Sequence, residues 1–336
     1  VTVHDLSGGA DVLGRIGRIA QSALDQYDVS DRAEVQLLNV SENATYLVTD
    51  PDRDISTVLR VHRGGYHSPA AIESELAWLC ALREDTGIRT PQVIGSRSGS
   101  RVVQVATPDG DDSRNCVMFE RLPGTEPSPD TLVEDFQALG DLTARMHQHT
   151  RQWAPPAAFT RFSWDYDAAF GAEARWGRWR DGHGMEPATV ELLSRLGETL
   201  QRRLGAFGKG PERFGLIHAD LRLANLLVQA GQPPAVIDFD DCGFGWYLYD
   251  LGSAVSFIEH DPQVPEMIDA WVRGYRGRQP LPDEDVDEIW TFVLYRRLLL
   301  VAWIGSHSAA DVARELGAGY TAGTCELAES YLSRFG

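Results

Sequence analysis

The run Leu216-Ile217-His218-Ala219-Asp220-Leu221-Arg222-Leu223-Ala224-Asn225-Leu226-Leu227-Val228, with Ile237-Asp238-Phe239-Asp240 downstream of it, decides how this chain folds. Two short apolar runs, Leu226–Val228 and Ala235–Ile237, flank Gly231-Gln232-Pro233, the pattern of a β-hairpin. An acid and an amide precede the first strand, and a second acid stands at the exit of the second. The hairpin can therefore bring Asp220, Asn225 and Asp238 to one point. Phosphoryl transfer needs one carboxylate to orient the attacking hydroxyl and accept its proton, and hard oxygen ligands for the metal that neutralises the phosphate oxygens. Asp220 suits the first role, Asn225 and Asp238 the second. A zinc site on His218 and Asp220 lacks a third ligand nearby, since His260 is remote and Cys242 has apolar neighbours.

Outward from the hairpin the C-terminal part reads as helices. Leu132, Phe136, Leu139, Leu142 and Met146 recur at helical spacing over 131–148, and further helices are expected over 187–207, 247–259, 264–275, 283–306 and 309–335. The N-terminal part reads differently. After a helix over 12–26, strands are expected at 36–40, 44–48 and 56–61, then a helix opening at Ser68-Pro69, then strands at 101–105 and 115–120. The boundary falls at Leu122-Pro123-Gly124, giving two parts, 1–122 and 123–336.

Composition narrows the possibilities. The 336 residues are 43% hydrophobic and 24% charged, an ordinary globular balance for about two domains. The net charge of −18 is spread along the chain with no basic segment, which argues against a nucleic-acid partner. Among 31 basic residues only Lys209 is lysine, in Gly208-Lys209-Gly210 without a following Ser or Thr, so a Walker A loop is excluded. Cys80, Cys116, Cys242 and Cys325 form no C-x-x-C pair and read as reduced packing residues. Asp5 and Asp11 stand where a signal peptide needs cationic and apolar regions, and Leu298–Ile304 is short of the ~20 residues that span a bilayer. No membrane partner and a cytoplasmic location are the expectation.

With these residues in view, the chain resembles the aminoglycoside phosphotransferase and choline kinase superfamily, small-molecule kinases of protein-kinase-like fold. His218-x-Asp220-x4-Asn225 is similar to its catalytic loop and Ile237-Asp238-Phe239 to its metal-binding strand end. The resemblance implies an α+β, bilobal protein-kinase-like fold. Its N-lobe would be a small antiparallel sheet with one long helix, carrying the nucleotide lid and hinge. Its larger, mainly α-helical C-lobe would embed the catalytic hairpin and hold the acceptor pocket. It further implies ATP and Mg²⁺ as cofactors. Val40-Ser41-Glu42-Asn43-Ala44-Thr45-Tyr46 looks like the phosphate-covering loop, with Ser41 and Asn43 at the nucleotide. Arg60 stands where many relatives carry lysine, and arginine can fork two phosphate oxygens. Its partner would come from Glu73 or Glu75, and the family's Glu-Leu-x-x-Leu pattern favours Glu75. The segment 117–124 looks like the interlobe hinge, in which Glu120 would offer its carbonyl and Leu122 its amide to adenine.

The branch of the superfamily follows from what is missing. Gly-x-Gly-x-x-Gly, His-Arg-Asp, Asp-Phe-Gly and Ala-Pro-Glu, which mark regulated protein kinases, are replaced by Ser41-Glu42-Asn43, His218-Ala219-Asp220 and Asp238-Phe239-Asp240, and the last is absent. Arg222 falls where a second cation can meet the transferred phosphoryl group. Asp250 matches a position that braces the catalytic loop. Between 152 and 186 the chain concentrates Trp153, Phe159, Phe162, Trp164, Tyr166, Phe170, Trp176 and Trp179, with Asp165, Asp167 and Glu173 among them. These form either a wall for an amine or sugar, or plain helix packing. The function expected is γ-phosphoryl transfer to a hydroxyl of a small molecule that can carry a positive charge, an amino alcohol or amino sugar. The alternatives are a stress-response protein Ser/Thr kinase and a nucleotide-binding pseudokinase scaffold.

Overall fold

A computed structural model describes residues 9–40, 42–107, 110, 113–307 and 311–336. The chain divides into two compact units. One is drawn from residues up to 84, 90–123 and 155–160, and the other from 85–89, 124–154 and 161–336.

The first unit holds α1 (Gly9–Ala23), which runs into a 3-10 turn at Leu24–Gln26, α2 (Pro69–Thr86) and six strands. The strands are β1 (Glu34–Val40), β2 (Ala44–Asp50), β3 (Ile55–Val61), β4 (Val93–Ile94), β5 (Val103–Ala106) and β6 (Ser113–Glu120). The sheet is antiparallel in the order β1-β2-β3-β6-β4, and β5 also pairs with β6. Alternation assigns its faces. Ala44, Tyr46, Val48, Leu59, Val61, Val103, Val105, Cys116 and Met118 are buried together with Ile16, Ile19, Ala20 and Ala23 of α1. The intervening positions of β3, Val58 and Arg60, point to the opposite face, where α2 supplies Glu75. Ser68 caps α2 by accepting a hydrogen bond from the Ala71 amide at 3.2 Å. The two-residue β4 carries no periodicity that a sequence reading could use.

The second unit contains α3 (Leu132–Gln152), α4 (Tyr166–Phe170), α5 (Pro187–Phe207), β7 (Phe214–Ile217), β8 (Leu226–Gln229), β9 (Gln232–Val236), β10 (Gly243–Trp246), α6 (Tyr247–Ala254), α7 (Val264–Arg276), α8 (Asp283–Val286), α9 (Ile289–Ser306) and α10 (Asp311–Phe335). The expected hairpin is β8–β9. A second antiparallel pair, β7–β10, frames it. Gly-Phe-Gly-Trp does not read as a strand, yet glycine is what fits there, because a Cβ on Gly245 would lie 2.5 Å from Ile217. Glycines also set the helix crossing of α3 and α7: a Cβ on Gly140 would overlap the Trp271 carbonyl, and one on Gly274 the Gln137 carbonyl.

Three helices differ from expectation. The one foreseen over 247–259 stops at Ala254, because the Ser253 hydroxyl is turned to accept the Leu221 amide, and Phe257 (φ 73°) then reverses the chain. The one foreseen over 283–306 is broken after Val286; Glu288 accepts a hydrogen bond from Thr291 Oγ1 at 2.7 Å and starts a fresh helix. The last is kinked at Gly317 (φ 44°). Residues 283–306 are long and apolar enough to cross a membrane, but 83% of the apolar window is buried within protein.

Candidate active site

In the second unit Asp220 and Asn225 meet as their spacing implies. The Asn225 side-chain amide donates to the Asp220 carbonyl and to Asp220 Oδ2, both at 2.8 Å, leaving Asn225 Oδ1 on the opposite side. Asn225 is anchored by its backbone, which accepts from the Ile237 amide at 3.0 Å and so ties the loop to the strand that leads to Asp238. Arg222 Nε donates to Asp220 Oδ2 at 3.2 Å. Arg296 of α9 donates to the other oxygen, Oδ1, at 2.6 Å. Ala219 (φ 67°) and Asp238 (φ 61°) both adopt the left-handed backbone region. For a residue with a Cβ this costs on the order of 1–2 kcal/mol, so the surroundings must hold it.

At Ala219 Asp250 does the holding. It is fully buried and accepts from the His218 amide at 3.3 Å, the Ala219 amide at 2.8 Å and His147 Nε2 at 3.0 Å. Burial pushes the His147 pKa down against the pull of Asp250, which keeps the ring neutral. His147 Nδ1 then accepts from the Tyr275 hydroxyl at 3.0 Å, and the chain Tyr275–His147–Asp250 is satisfied throughout.

Electrostatics favour the anion at Asp220. Burial opposes ionisation, but the Arg222 and Arg296 guanidiniums and His218 outweigh it, and the carboxyl is held below its ordinary range. Arg222 is held charged, first by Asp220 and further by Asp238, which places Asp238 in the same field.

The aromatic segment divides. Trp164, Trp176 and Trp179 are buried, and Trp164 meets Trp176 edge-on at 4.9 Å and stacks on Tyr249 at 6.2 Å. Asp165 caps α4 and pairs with Lys209 at 2.8 Å. The three tryptophans are core. The same segment also braces the second motif, through Arg161 donating to the Asp240 and Cys242 carbonyls and Trp164 Nε1 to the Asp241 carbonyl at 2.7 Å.

In the first unit Arg60 and Glu75 form a buried ion pair at 2.5 Å, with side chains 7% and 0% exposed. Arg60 also lies over the Phe119 ring at 5.2 Å. Glu73 pairs instead with Arg101 at 2.8 Å. Asn43 Oδ1 accepts from the Arg63 amide at 3.0 Å, which ties the residue before β2 to the segment that follows β3. Ser41 lies outside the described residues. Glu120 ends β6 with its amide donated to the Gln92 carbonyl at 2.8 Å, and Leu122 follows outside any helix or strand before Pro123.

Arg296, Arg161 and His147 were not among the residues picked out by sequence. Only Arg296 carried a signal: a charge inside an otherwise apolar helix has to find a partner.

Comparison with known proteins adds four findings. A family model described as "Phosphotransferase enzyme family" matches residues 34–286. The amicoumacin kinase of Bacillus subtilis (strain 168) is 23% identical over 289 residues, covering 82% of this chain and 80% of that protein. Among solved structures, a microcompartment-associated aminopropanol kinase is 52% identical with a TM-score of 0.87, over 94% of this chain and 97% of that one. The amicoumacin kinase hAmiN, solved with AMP-PNP, Ca²⁺ and Ami, is 24% identical with a TM-score of 0.77, over 96% of this chain and 95% of that one.

Proposed function

We propose, for a chain that belongs to the phosphotransferase enzyme family and is thereby a small-molecule kinase acting on an alcohol group, that its acceptor is a short amino alcohol of the aminopropanol kind and its donor ATP. The observation that carries this reading is the 52% identity to an aminopropanol kinase across nearly the whole of both chains. The acceptor hydroxyl is oriented by Asp220, which takes its proton as the oxygen bonds to the γ-phosphorus. The bond from that phosphorus to the bridging oxygen breaks and ADP leaves. A carboxylate held below its ordinary range is a weak base, so the proton passes late, after the phosphoryl group has loosened. Arg222 offsets charge on the transferring group.

The oxygen donors Asn225 Oδ1 and Asp238 fit a hard divalent cation, and we assign them to Mg²⁺. When bound, the metal neutralises the β- and γ-phosphate oxygens. In the sheet unit Arg60, held by Glu75, is assigned to the α- and β-phosphates, Ser41 and Asn43 to the covering loop, and the Glu120 carbonyl and Leu122 amide to adenine. Residues 1–122 and 123–336 then act as nucleotide and acceptor lobes. We place the enzyme in the cytoplasm, a reading supported by four cysteines that form no disulfide.

The test is coupled ADP release with Mg²⁺ and ATP over a panel of 1-aminopropan-2-ol, ethanolamine, choline, an aminoglycoside and an amicoumacin. The highest kcat/KM should fall on a short amino alcohol, with the O-phosphate seen by phosphorus NMR. Preference for an antibiotic, or label from γ-labelled ATP appearing on protein, overturns the reading.

A further inference from the structure

Helix α9 runs Ile-Trp-Thr-Phe-Val-Leu-Tyr-Arg-Arg-Leu-Leu-Leu-Val-Ala-Trp-Ile-Gly-Ser, and Arg296 and Arg297 are its only charged residues. Both are buried. Removing a guanidinium from water costs several kcal/mol, so it stays in a core only where acceptors surround it. Arg296 has four. Its Nη2 donates to Asp220 Oδ1 at 2.6 Å, its Nη1 to the Tyr249 hydroxyl at 3.0 Å and the Ala219 carbonyl at 3.3 Å, and its Nε to Ser256 Oγ at 3.2 Å. The Trp176 ring covers the guanidinium at 5.2 Å.

This set of contacts is directed at one place. Among the described residues the Asp220 carboxylate is otherwise held only through Oδ2, by Asn225 and Arg222, both on its own loop. Two contacts to one oxygen leave a carboxylate able to rotate about its Cβ–Cγ bond. A third, to the other oxygen, removes that freedom. Arg222 is the weaker candidate for this task, since its side chain is 32% exposed whereas that of Arg296 is 3% exposed. Arg296 also grips the carbonyl of Ala219, the left-handed residue immediately before Asp220. Backbone and side chain of the acid are therefore fixed by one planar group whose own position is set by α6 and the segment after it.

We propose that Arg296 is the positioning residue for the Asp220 carboxylate, locking it from outside the catalytic loop in the orientation that receives the acceptor hydroxyl. This rests on the kinase reading of Asp220. Oδ1, which accepts from Arg296, keeps a second lone pair for the hydroxyl, so the lock does not consume the acid. A misoriented acid lowers turnover more than binding, because the acceptor and nucleotide are held by other groups.

The test compares kcat and KM for wild type, Arg296→Gln, Arg296→Lys and Tyr249→Phe, each checked for folding by circular dichroism. Arg296→Gln should lose about 100-fold in kcat with KM for ATP and acceptor changed less than about threefold. Arg296→Lys, which can reach Asp220 but not all four acceptors, should recover part of that loss. Tyr249→Phe removes one brace of the guanidinium without touching Asp220, and should lower kcat severalfold at constant KM. A folded Arg296→Gln with kcat within about threefold of wild type overturns the proposal, as does a loss carried by KM with no rescue by lysine. Should the glutamine variant not fold, an unchanged kcat in Tyr249→Phe overturns it alone. Failure of wild type to turn over any amino alcohol sinks the acceptor assignment instead; the same comparison is then made on the slow release of ADP to water.

Discussion

Replacing Glu75 by leucine removes one half of the buried pair with Arg60. The two side chains are 0% and 7% exposed, and their nearest N and O atoms are 2.5 Å apart. Truncating one partner leaves a guanidinium desolvated without its counter-ion, at a cost of about 3–5 kcal/mol. At about 1.4 kcal/mol per tenfold, the folded-to-unfolded ratio falls roughly 10²- to 10⁴-fold. Replacing Arg60 by methionine in the same chain removes the stranded charge. A pair of apolar residues of similar volume in such a site is close to neutral or stabilising, and methionine retains contact with the Phe119 ring. The double variant should therefore be more stable than Glu75→Leu by about 3 kcal/mol or more. Urea unfolding followed by circular dichroism reads this as midpoints at constant slope. Turnover should not return with stability, because the double variant has lost the cation assigned to the phosphates. Stability losses that add to within about 0.5 kcal/mol would refute the coupling. A stable double variant with wild-type kcat and ATP KM would refute the functional use of the pair.

Asp220→Asn should reduce kcat by about 10²- to 10⁴-fold with little change in nucleotide affinity by calorimetry, and unchanged turnover would remove Asp220 from the chemistry. Gly140→Ala forces a Cβ onto the Trp271 carbonyl, so α3 and α7 must separate; thermal unfolding should show a loss of about 1–3 kcal/mol. Asp50 accepts from the Ser30 amide and hydroxyl, both at 2.7 Å, and from the Asp52 amide at 3.1 Å. Desolvation raises its pKa, but these donors and Arg53 lower it further, so its folded value lies below its unfolded one. Such a group stabilises above the ordinary carboxylate pKa and loses that contribution as pH falls through its folded value. Stability should drop less steeply on acidification in Asp50→Asn than in wild type.

What sequence made legible was local. Asp220 and Asn225 meet within one loop, and the Ile237 amide ties that loop to the strand before Asp238, because loop and hairpin close over short separations; Pro187 with Gly208 (φ 79°) bounds α5 at the residues expected. What it left open depended on distance or degeneracy. Glu73 and Glu75 differ only in helix phase, and nothing local says which meets β3. Helical spacing cannot separate an aromatic wall from a core, so Trp164, Trp176 and Trp179 needed burial to be read. Arg296 reaches Asp220 from 76 residues away, and no local pattern connects them.

The two adjacent arginines of α9 show how such long-range contacts divide labour. A helical step of 100° sends neighbouring residues to different surroundings. Arg296 turns toward Asp220. Arg297 turns toward Glu259 at 2.5 Å, Thr324 Oγ1 at 3.1 Å and the Tyr320 ring at 4.1 Å, tying α9 to α10 and to the turn after α6. Glu259 also accepts from the Tyr320 hydroxyl at 3.1 Å, so the cluster is closed on itself. Arg297→Met should then strand a buried carboxylate and cost about 3–5 kcal/mol of stability. Assayed well below its melting temperature, it should retain wild-type kcat, where Arg296→Gln loses it. If Arg297→Met lost turnover as severely while folded, the division between neighbouring guanidiniums would be wrong, and α9 would be coupled to the catalytic loop as a whole rather than through one side chain.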